Sequence, residues 1–185
     1  MMGAFFAKKV FHFYIPAIEA NSIPILSMNE IMAILYEDLQ ECSTVAAYNA
    51  GFDIGALTNT GRCLNTDFDI DFSAFDILCL WNFACKNLLN SATYRKLADR
   101  MKWKSKAGNY KSNAECAYRF VTGDMKFNES HTAIDDCDVE MAIMVKAFAK
   151  KKKIPYGEYN NSPWRVIQQK QLQTYAKRNE QLEMF

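Results

Sequence analysis

The chain has 185 residues, half of them hydrophobic, which is enough apolar side chain to bury the core of one domain. Its 22 basic and 21 acidic residues leave a formal charge of +1, so affinity for nucleic acid must come from local patches, and a histone-like polycation is excluded. Seven glycines and four prolines are few for this length, which disfavours low-complexity sequence and turn-rich all-β designs.

The sequence carries no mark of a membrane or exported protein. No stretch approaches the roughly 18 consecutive apolar residues that a spanning helix needs. The apolar start at residues 4–7 is interrupted by Lys8 and Lys9 before a signal-peptide core could form. We therefore expect a soluble, unexported protein without a membrane partner.

The cysteine usage is typical of a reducing compartment. Six cysteines are scattered without any Cys-x-x-Cys pair, so we expect reduced and mostly buried thiols. A zinc site is disfavoured because only His12 and His131 could join the cysteines, and short ligand spacings are missing. The six are Cys42, Cys63, Cys79, Cys85, Cys116 and Cys137.

The first half of the chain alternates predicted strands and helices. Residues 10–14 are apolar and aromatic and are followed by a proline, which predicts a short strand. Ser27 and Glu30 have capping-box spacing ahead of a helical apolar pattern, which predicts a helix over residues 28–41. A β-branched and apolar run predicts a strand over 44–48, followed by a turn and a second helix start.

The alternation continues after a polar segment. Residues 60–71 contain a glycine and three aspartates, which predicts a loop. A strand over 74–78 is predicted to lead into a helix over 80–89. Strands followed by helices favour the α/β class.

The second half is predicted to be helical, with an N-cap residue before each element. Ser91 precedes a helix over 92–101, Asn113 one over 114–122 that Gly123 ends, and Thr132 a long helix to about residue 150. Ser162 and Pro163 are predicted to start a final Gln-rich helix. The basic run at 150–153 and Pro155 predict a boundary between a body, residues 1–154, and a C-terminal arm, residues 155–185.

An acidic segment over residues 129–140 is the first candidate for chemistry. It holds five acids and a histidine without any Lys or Arg. On a helical wheel, Asp136 lies opposite one apolar stripe and beside small apolar residues, which favours a semi-buried cleft where a divalent cation could bind. Alternatively, the acids only complement the helix dipole and His131 is a loop residue. The stripe consists of Ile134, Cys137, Met141, Met144, Val145 and Phe148.

A second carboxylate, Asp53, directly follows the predicted strand that ends near residue 48. Sites in α/β proteins form where strands end, which makes Asp53 a candidate ligand. Alternatively, Asp53 caps the next helix while Gly51 permits the bend.

Together these segments resemble the DEDDh-type 3′–5′ exonuclease family, typified by the proofreading epsilon subunit of bacterial replicative polymerase and closest to phage-encoded members. Residues 49–55, Asn-Ala-Gly-Phe-Asp-Ile-Gly, resemble the second exonuclease motif. Residues 131–136, His-Thr-Ala-Ile-Asp-Asp, resemble the third motif in its histidine form. Residues 76–78 resemble the strand-to-helix step between them, and the likeness covers most of residues 44–148.

The resemblance implies a ribonuclease-H-like fold and a role for each motif. Asp53 and Asp136 would bind metal, His131 would be the general base, and Asn49 and Phe52 would contact nucleic acid. Cleavage would use two Mg²⁺ or Mn²⁺ ions, which activate water and stabilise charge in the transition state, and an imidazole can accept the proton near neutral pH. The substrate would be the 3′ end of single-stranded DNA or RNA. A DNA polymerase partner and the cytoplasm of a bacterial or phage-infected cell are implied as well.

A basic and aromatic segment over residues 95–111 could line the path of the substrate. Trp103 and Tyr110 alternate with basic residues, a pattern that suits stacking on unpaired bases beside a phosphate-binding groove. Equally, it could be a solvated basic surface whose aromatic rings pack inward. The basic residues are Arg95, Lys96, Arg100, Lys102, Lys104, Lys106 and Lys111.

The first motif of the family, Asp-x-Glu on the opening strand, does not occur in the sequence. By comparison with the family, Met1 falls after the first three strands of the fold, so two of four metal-binding carboxylates are missing and two-metal chemistry should be weakened. The strand over residues 44–48 would then have an uncovered edge, which predicts aggregation, a homo-oligomer, or recapture by the segment 5–14.

Two functions therefore stay open at the level of the sequence. One is 3′–5′ exonuclease activity. The other is an inactive module of the same family that binds nucleic acid or a polymerase. A purely structural role would leave the motif over residues 131–136 unexplained.

Overall fold

The fold was analysed in a computed structural model that describes residues 8–64, 66, 70–130, 132–150 and 153–168. The chain divides into two compact units. The smaller consists of the described residues within Met1–Glu41 and Thr58–Ile70, and the larger of those within Cys42–Leu57 and Asp71–Phe185. This division differs from the predicted boundary near residue 155.

Helix α1 of the smaller unit replaces the strand that was predicted over residues 10–14. It begins as a π-helical turn, Val10–Tyr14, and continues as an α-helix, Ile15–Glu19. The strand prediction was wrong because it took Pro16 as a stop signal. Pro16 lies in the first turn of the α-helical part, where a missing N–H is tolerated and the fixed φ favours the helix.

Helix α2, Met28–Gln40, confirms the predicted capping box. The Ser27 backbone N–H donates to Glu30 Oε2 at 2.7 Å, and the Glu30 N–H donates to Ser27 Oγ at 3.3 Å. These bonds satisfy donors that the first turn of a helix otherwise leaves unpaired. Met32 and Leu39 form the buried side of this helix.

Two short parallel strands form the sheet of the larger unit and confirm the α/β class. Strand β1, Thr44–Ala47, pairs with β2, Asp76–Cys79, in a register that aligns Thr44 with Asp76. Both strands were predicted within one or two residues of these bounds. A crossover that contains helix α3, Ala50–Leu64, joins them, as parallel pairing requires.

Helix α3 continues into the segment that was predicted as a loop from residue 60. The helix passes through Gly61 and ends at Leu64. The chain then folds back, so that the Thr66 N–H donates to the Gly61 carbonyl at 3.1 Å. A Cβ on Gly61 would lie 3.2 Å from Thr66 Oγ1, so this glycine provides space for a turn and does not break the helix.

Three further helices follow β2 at their predicted positions. Helix α4 comprises Leu80–Ala84 and a π-helical continuation, Cys85–Leu89. Helix α5, Ala92–Arg100, is capped by Ser91, whose Oγ accepts the Tyr94 N–H at 3.1 Å. Helix α6, Ala114–Thr122, ends at Gly123 in the left-handed conformation, but the Asn113 side chain makes no capping bond.

The last long helix, α7, spans Ala133–Lys150 and packs against α4 and α6. Its buried face consists of Val139, Ile143 and Ala147. Much of the apolar stripe noted in the sequence is exposed instead, with Ile134 77% and Met141 56% exposed, whereas Met144 and Phe148 pack against the main core. Small and β-branched residues on the buried face allow close packing against the neighbouring helices.

Residues beyond α7 belong to the core of the larger unit. Pro163 and Ile167 are fully buried, and the Gln168 side chain bonds both the N–H and the carbonyl of Tyr110, at 3.0 and 3.2 Å. The predicted final helix is described only as a turn over residues 165–168; its remainder lies outside the described residues. This segment is part of the packed body within that range.

The six cysteines are all free, as predicted. Cys79, Cys85 and Cys116 are buried, whereas Cys42, Cys63 and Cys137 are exposed, so the expectation of mostly buried thiols holds for half of them. Within the described ranges, no helix combines the length and apolarity needed to cross a membrane.

Candidate functional site

The candidate site lies where β1 ends in the larger unit. Only Tyr48 and Asn49 separate β1 from helix α3, which starts at Ala50 and has Asp53 in its first turn. Asp53 is exposed as a residue, yet the surrounding protein desolvates its carboxylate and raises its pKa above the ordinary value. A desolvated carboxylate is stabilised by a nearby cation or by a bound proton.

Asp136, the second predicted ligand, is half-buried near the start of α7. Its Oδ1 atom is inaccessible to solvent and has no hydrogen-bond partner within the described part of the chain. Such an acceptor costs free energy unless a proton, a donor or a cation meets it. Asp136 is thus the described residue that fits a cation best.

Glu140 is the carboxylate that the sequence did not single out. It lies one turn after Asp136, on the same side of α7. Burial raises its pKa to about 7, and the charges of Asp53, Asp136 and Glu129 add to the shift, while a backbone hydrogen bond from Tyr48 opposes it. The spacing of four residues from Asp136 is the signal that could have identified it.

The three carboxylates therefore affect one another electrostatically at the end of β1. Carboxylate oxygens are the ligands that Mg²⁺ and Mn²⁺ prefer, so the donor types fit the predicted metals. However, no three His, Cys, Asp or Glu side chains within the described residues are grouped closely enough to hold an ion. The carboxylate oxygens are thus suitable ligands for these metals, but the described side chains do not form a complete coordination group.

The remaining acids of the segment 129–140 have other roles. The Asp135 carboxylate accepts hydrogen bonds from the hydroxyls of Ser130 and Thr132, which lower its pKa. Asp135 and Asp138 line a separate cleft of about 330 Å³ together with Tyr118 and Phe127. Both Asp135 and Asp136 lie in the first turn of α7, where acids complement the helix dipole, so that interpretation stays open for Asp136. His131, the predicted general base, lies outside the described residues.

Asn49 and Phe52, the predicted nucleic-acid contacts of the second motif, are both exposed. The Asn49 carbonyl accepts the N–H groups of Phe52 and Asp53 at 2.7 and 3.3 Å, which fixes the turn into α3. Phe52 precedes Asp53 in the sequence and is 69% exposed. Its ring is therefore available for stacking on a nucleic-acid base.

The aromatic residues of the basic segment pack inward, which is the alternative given from the sequence. Trp103 is only 5% and Tyr110 only 3% exposed, because both belong to the main core. The expectation that Trp103 stacks on bases is therefore wrong for this structure. Periodic apolar and basic residues look alike in a sequence whether the rings face the core or the solvent.

The basic side chains of that segment lie on the surface, and some of them form ion pairs or hydrogen bonds. Lys104 pairs with Asp99 at 2.7 Å and lies over the Tyr110 ring, and Arg95 donates to Asn90 Oδ1 at 3.3 Å. The other basic residues of the segment are exposed: Lys96, Arg100, Lys102, Lys106 and Lys111.

No protein-family model, curated protein or solved structure matches the chain. What the carboxylates at the end of β1 can do is therefore argued from their own chemistry.

Proposed function

We propose that this protein is a 3′–5′ exonuclease of the DEDDh type, with a ribonuclease-H-like fold, that hydrolyses phosphodiester bonds at the 3′ end of single-stranded DNA or RNA. The observation that supports it is the electrostatic coupling of Glu140 to both Asp53 and Asp136, residues more than eighty positions apart in the sequence. It adds to the likeness of residues 49–55 and 131–136 to two motifs of that family.

Each residue has a role in this proposal. Asp136 and Asp53 would hold Mg²⁺ or Mn²⁺, with Glu140 as an additional ligand on the same side of α7. The bound ions would supply activation of water and stabilisation of negative charge. His131 would accept the proton of the attacking water, for which an imidazole has a suitable pKa. Phe52 would stack on an unpaired base.

The protonation of Glu140 links metal binding to pH. A carboxyl with a pKa of about 7 holds a proton in part of the molecules at neutral pH. A cation that binds the carboxylate must displace this proton, so affinity for the metal should rise with pH between about 6 and 8.

The test is release of mononucleotides from a 5′-labelled single-stranded oligonucleotide in the presence of Mn²⁺. We expect shortening from the 3′ end that falls at least tenfold in Asp136→Asn and in His131→Ala. Asp138→Asn, an exposed neighbour on the same helix, is the matched control and should retain activity. A folded protein that releases nothing at millimolar Mn²⁺ would contradict the proposal.

A second candidate function is a non-catalytic module that binds nucleic acid or a polymerase. It is favoured by the missing Asp-x-Glu motif and by the lack of a compact metal-ligand group among the described residues. This candidate predicts salt-sensitive oligonucleotide binding that survives Asp53→Asn with Asp136→Asn but weakens in Lys96→Gln with Arg100→Gln. Retained binding without hydrolysis would select it.

A further inference from the structure

Among the residues that the structure describes, none pairs with the outer edge of β1. The Ser43 carbonyl accepts from the Asp76 N–H at 3.0 Å, so the polar groups of residues 43, 45 and 47 point towards β2. Because successive residues of a strand alternate, the N–H and carbonyl groups of Thr44 and Ala46 point the other way. The described part of the chain gives these groups no backbone partner.

The outer edge of β2 is different because it is occupied. The Gly157 N–H donates to the Ile77 carbonyl at 2.8 Å, so a segment from the end of the larger unit covers that side. The sheet can therefore be extended by hydrogen bonding past β1 more readily than past β2.

Helix α7 contacts the residue that follows β1. The Tyr48 carbonyl accepts the Trp81 N–H at 2.7 Å, on the side of β2, whereas its N–H is left for the Glu140 carboxylate of α7. Met144 follows Glu140 by four residues, about 40° around the helix at 100° per residue. The apolar stripe of α7 therefore starts next to the side of the helix that contacts Tyr48.

That stripe is exposed over most of its length. Ile134, Met141 and Val145 are 77, 56 and 56% exposed, and Cys137 between them is exposed as well. An apolar row on the longest helix, next to an unpaired strand edge, is a surface of the kind that becomes buried on association.

We propose that a second copy of this chain covers both features in a symmetric dimer. The two β1 strands pair antiparallel about a two-fold axis perpendicular to the sheet, which gives one sheet of four strands. The same axis places the two α7 helices side by side and antiparallel, on one face of that sheet, with their apolar stripes in contact. This proposal does not depend on the proposed activity.

The charges of α7 favour a second copy over an unrelated protein. Asp135 and Asp138, both exposed, lie in its first half, whereas its only basic residues, Lys146 and Lys150, lie in its second half. An antiparallel pair centred on Met141 places the acidic half of each helix along the basic half of the other. It also aligns the two helix dipoles favourably. One surface is thus complementary to itself, as a two-fold interface requires.

The small side chains of β1 are compatible with such pairing. Ala46 and Ala47 leave little bulk at the centre of the strand, and Ala46 is exposed. No charged residue or proline occurs within Thr44–Ala47, although these are the usual devices that prevent pairing at an open edge.

The first test is the mass of the full chain in solution by light scattering or sedimentation equilibrium at tens of micromolar. We expect twice the chain mass of 21.2 kDa for the unmodified protein and the chain mass itself for Met141→Glu, which places two like charges at the centre of the interface. Ile25→Glu makes the same change at a residue that is 77% exposed in the smaller unit, and this control should stay dimeric.

The second test is a disulfide across the two-fold axis, in a background with Cys42→Ser and Cys63→Ser. An antiparallel pair centred on Met141 places position 145 of one copy near Cys137 of the other. Val145→Cys should therefore give a covalent dimer under mild oxidation, and combining it with Cys137→Ser should reduce the yield at least tenfold. The proposal would be overturned if the native protein were a monomer or if Met141→Glu left the dimer intact. It would also be overturned if Cys137→Ser did not change the yield of the covalent dimer.

Discussion

The Glu140 carboxyl makes the folding stability depend on pH near neutrality. Its pKa is about 7 in the folded protein against an ordinary value of 4.5. Between these values the folded state holds a proton that the unfolded state has lost, so stability falls as pH rises from about 4.5 to 7. The full difference would be about 3 kcal/mol at 1.36 kcal/mol per pKa unit. Screening of a half-buried group reduces it to about 1–2 kcal/mol.

We therefore expect Glu140→Gln to stabilise the protein at pH 8 and to change little at pH 5. The neutral amide has nearly the same shape and avoids burying a charge beside Asp53 and Asp136. A gain of about 1–2 kcal/mol corresponds to roughly 2–8 °C in Tm for a unit of this size. The measurement is thermal unfolding at the two pH values without metal, with the exposed Glu37→Gln as control. An equal gain at both pH values would show that Glu140 is not the titrating group.

The cysteines should differ in reactivity according to their burial. Burial raises the pKa of Cys85 to about 12 and of Cys116 to about 11, so both remain neutral thiols at pH 8. In native protein we expect Cys42 and Cys63 to react quickly with a chromogenic disulfide and the three buried thiols to react only on unfolding. Cys116→Ser should leave the fast fraction unchanged, whereas Cys63→Ser should remove one fast thiol.

At the residue scale, the sequence offered functional candidates but did not predict their surroundings. The role of Asp53 and Asp136 as metal ligands follows from the resemblance of residues 49–55 and 131–136 to two exonuclease motifs, and that role stays a prediction. Glu140 was missed because its raised pKa results from burial between elements and from its position beside the Tyr48 backbone, which the sequence does not reveal. The side on which Trp103 lies stayed open because neighbouring lysines do not reveal which way a ring points.

Two glycines in helices should respond to alanine in opposite directions. Gly123 ends α6 at φ 81°, a conformation in which a Cβ is strained. Gly55 lies inside α3, and a Cβ there would meet no atom within 4 Å. Gly123→Ala should therefore destabilise by about 1 kcal/mol and Gly55→Ala should stabilise by up to about 1 kcal/mol. Urea unfolding measures both, and a gain from Gly123→Ala would contradict the capping role.

At the scale of elements, prediction succeeded where local chemistry decides. The capping box at Ser27 and the N-cap at Ser91 fix their helices through bonds within three residues. Prediction failed where one residue type is compatible with two structures, since Pro16 can start a helix as well as end a strand. The packed face of α7 also could not be read from hydrophobicity, because its apolar stripe is mostly exposed and small residues such as Ala147 are buried.

At the scale of the whole larger unit, residues 163–168 should be essential to stability. Ile167 is fully buried in the main core, so Ile167→Ala should cost about 2–4 kcal/mol through lost burial and a cavity. Val166→Ala, at a half-buried position on the same turn, should cost less. Urea unfolding followed by the fluorescence of the three tryptophans measures both. A cost below about 1 kcal/mol for Ile167→Ala would show that this segment only covers the surface.

The α/β class could be predicted from the order of strands and helices, but the extent of the packed body could not. A basic run and a proline near residue 155 look like a linker, whereas the buried Pro163 and Ile167 act through contacts with residues far away in sequence. The open edge of β1 is also a property of the assembled sheet. The sequence predicted it only through the resemblance to the exonuclease family.

The contacts of Gly157 and Gln168 affect the order in which the protein can fold during synthesis. Gly157 bonds Ile77, and Gln168 bonds both polar groups of Tyr110, so a sheet edge and the main core remain unfinished until these late residues have left the ribosome. Nascent chains stalled before that point should expose apolar surface and depend on chaperones.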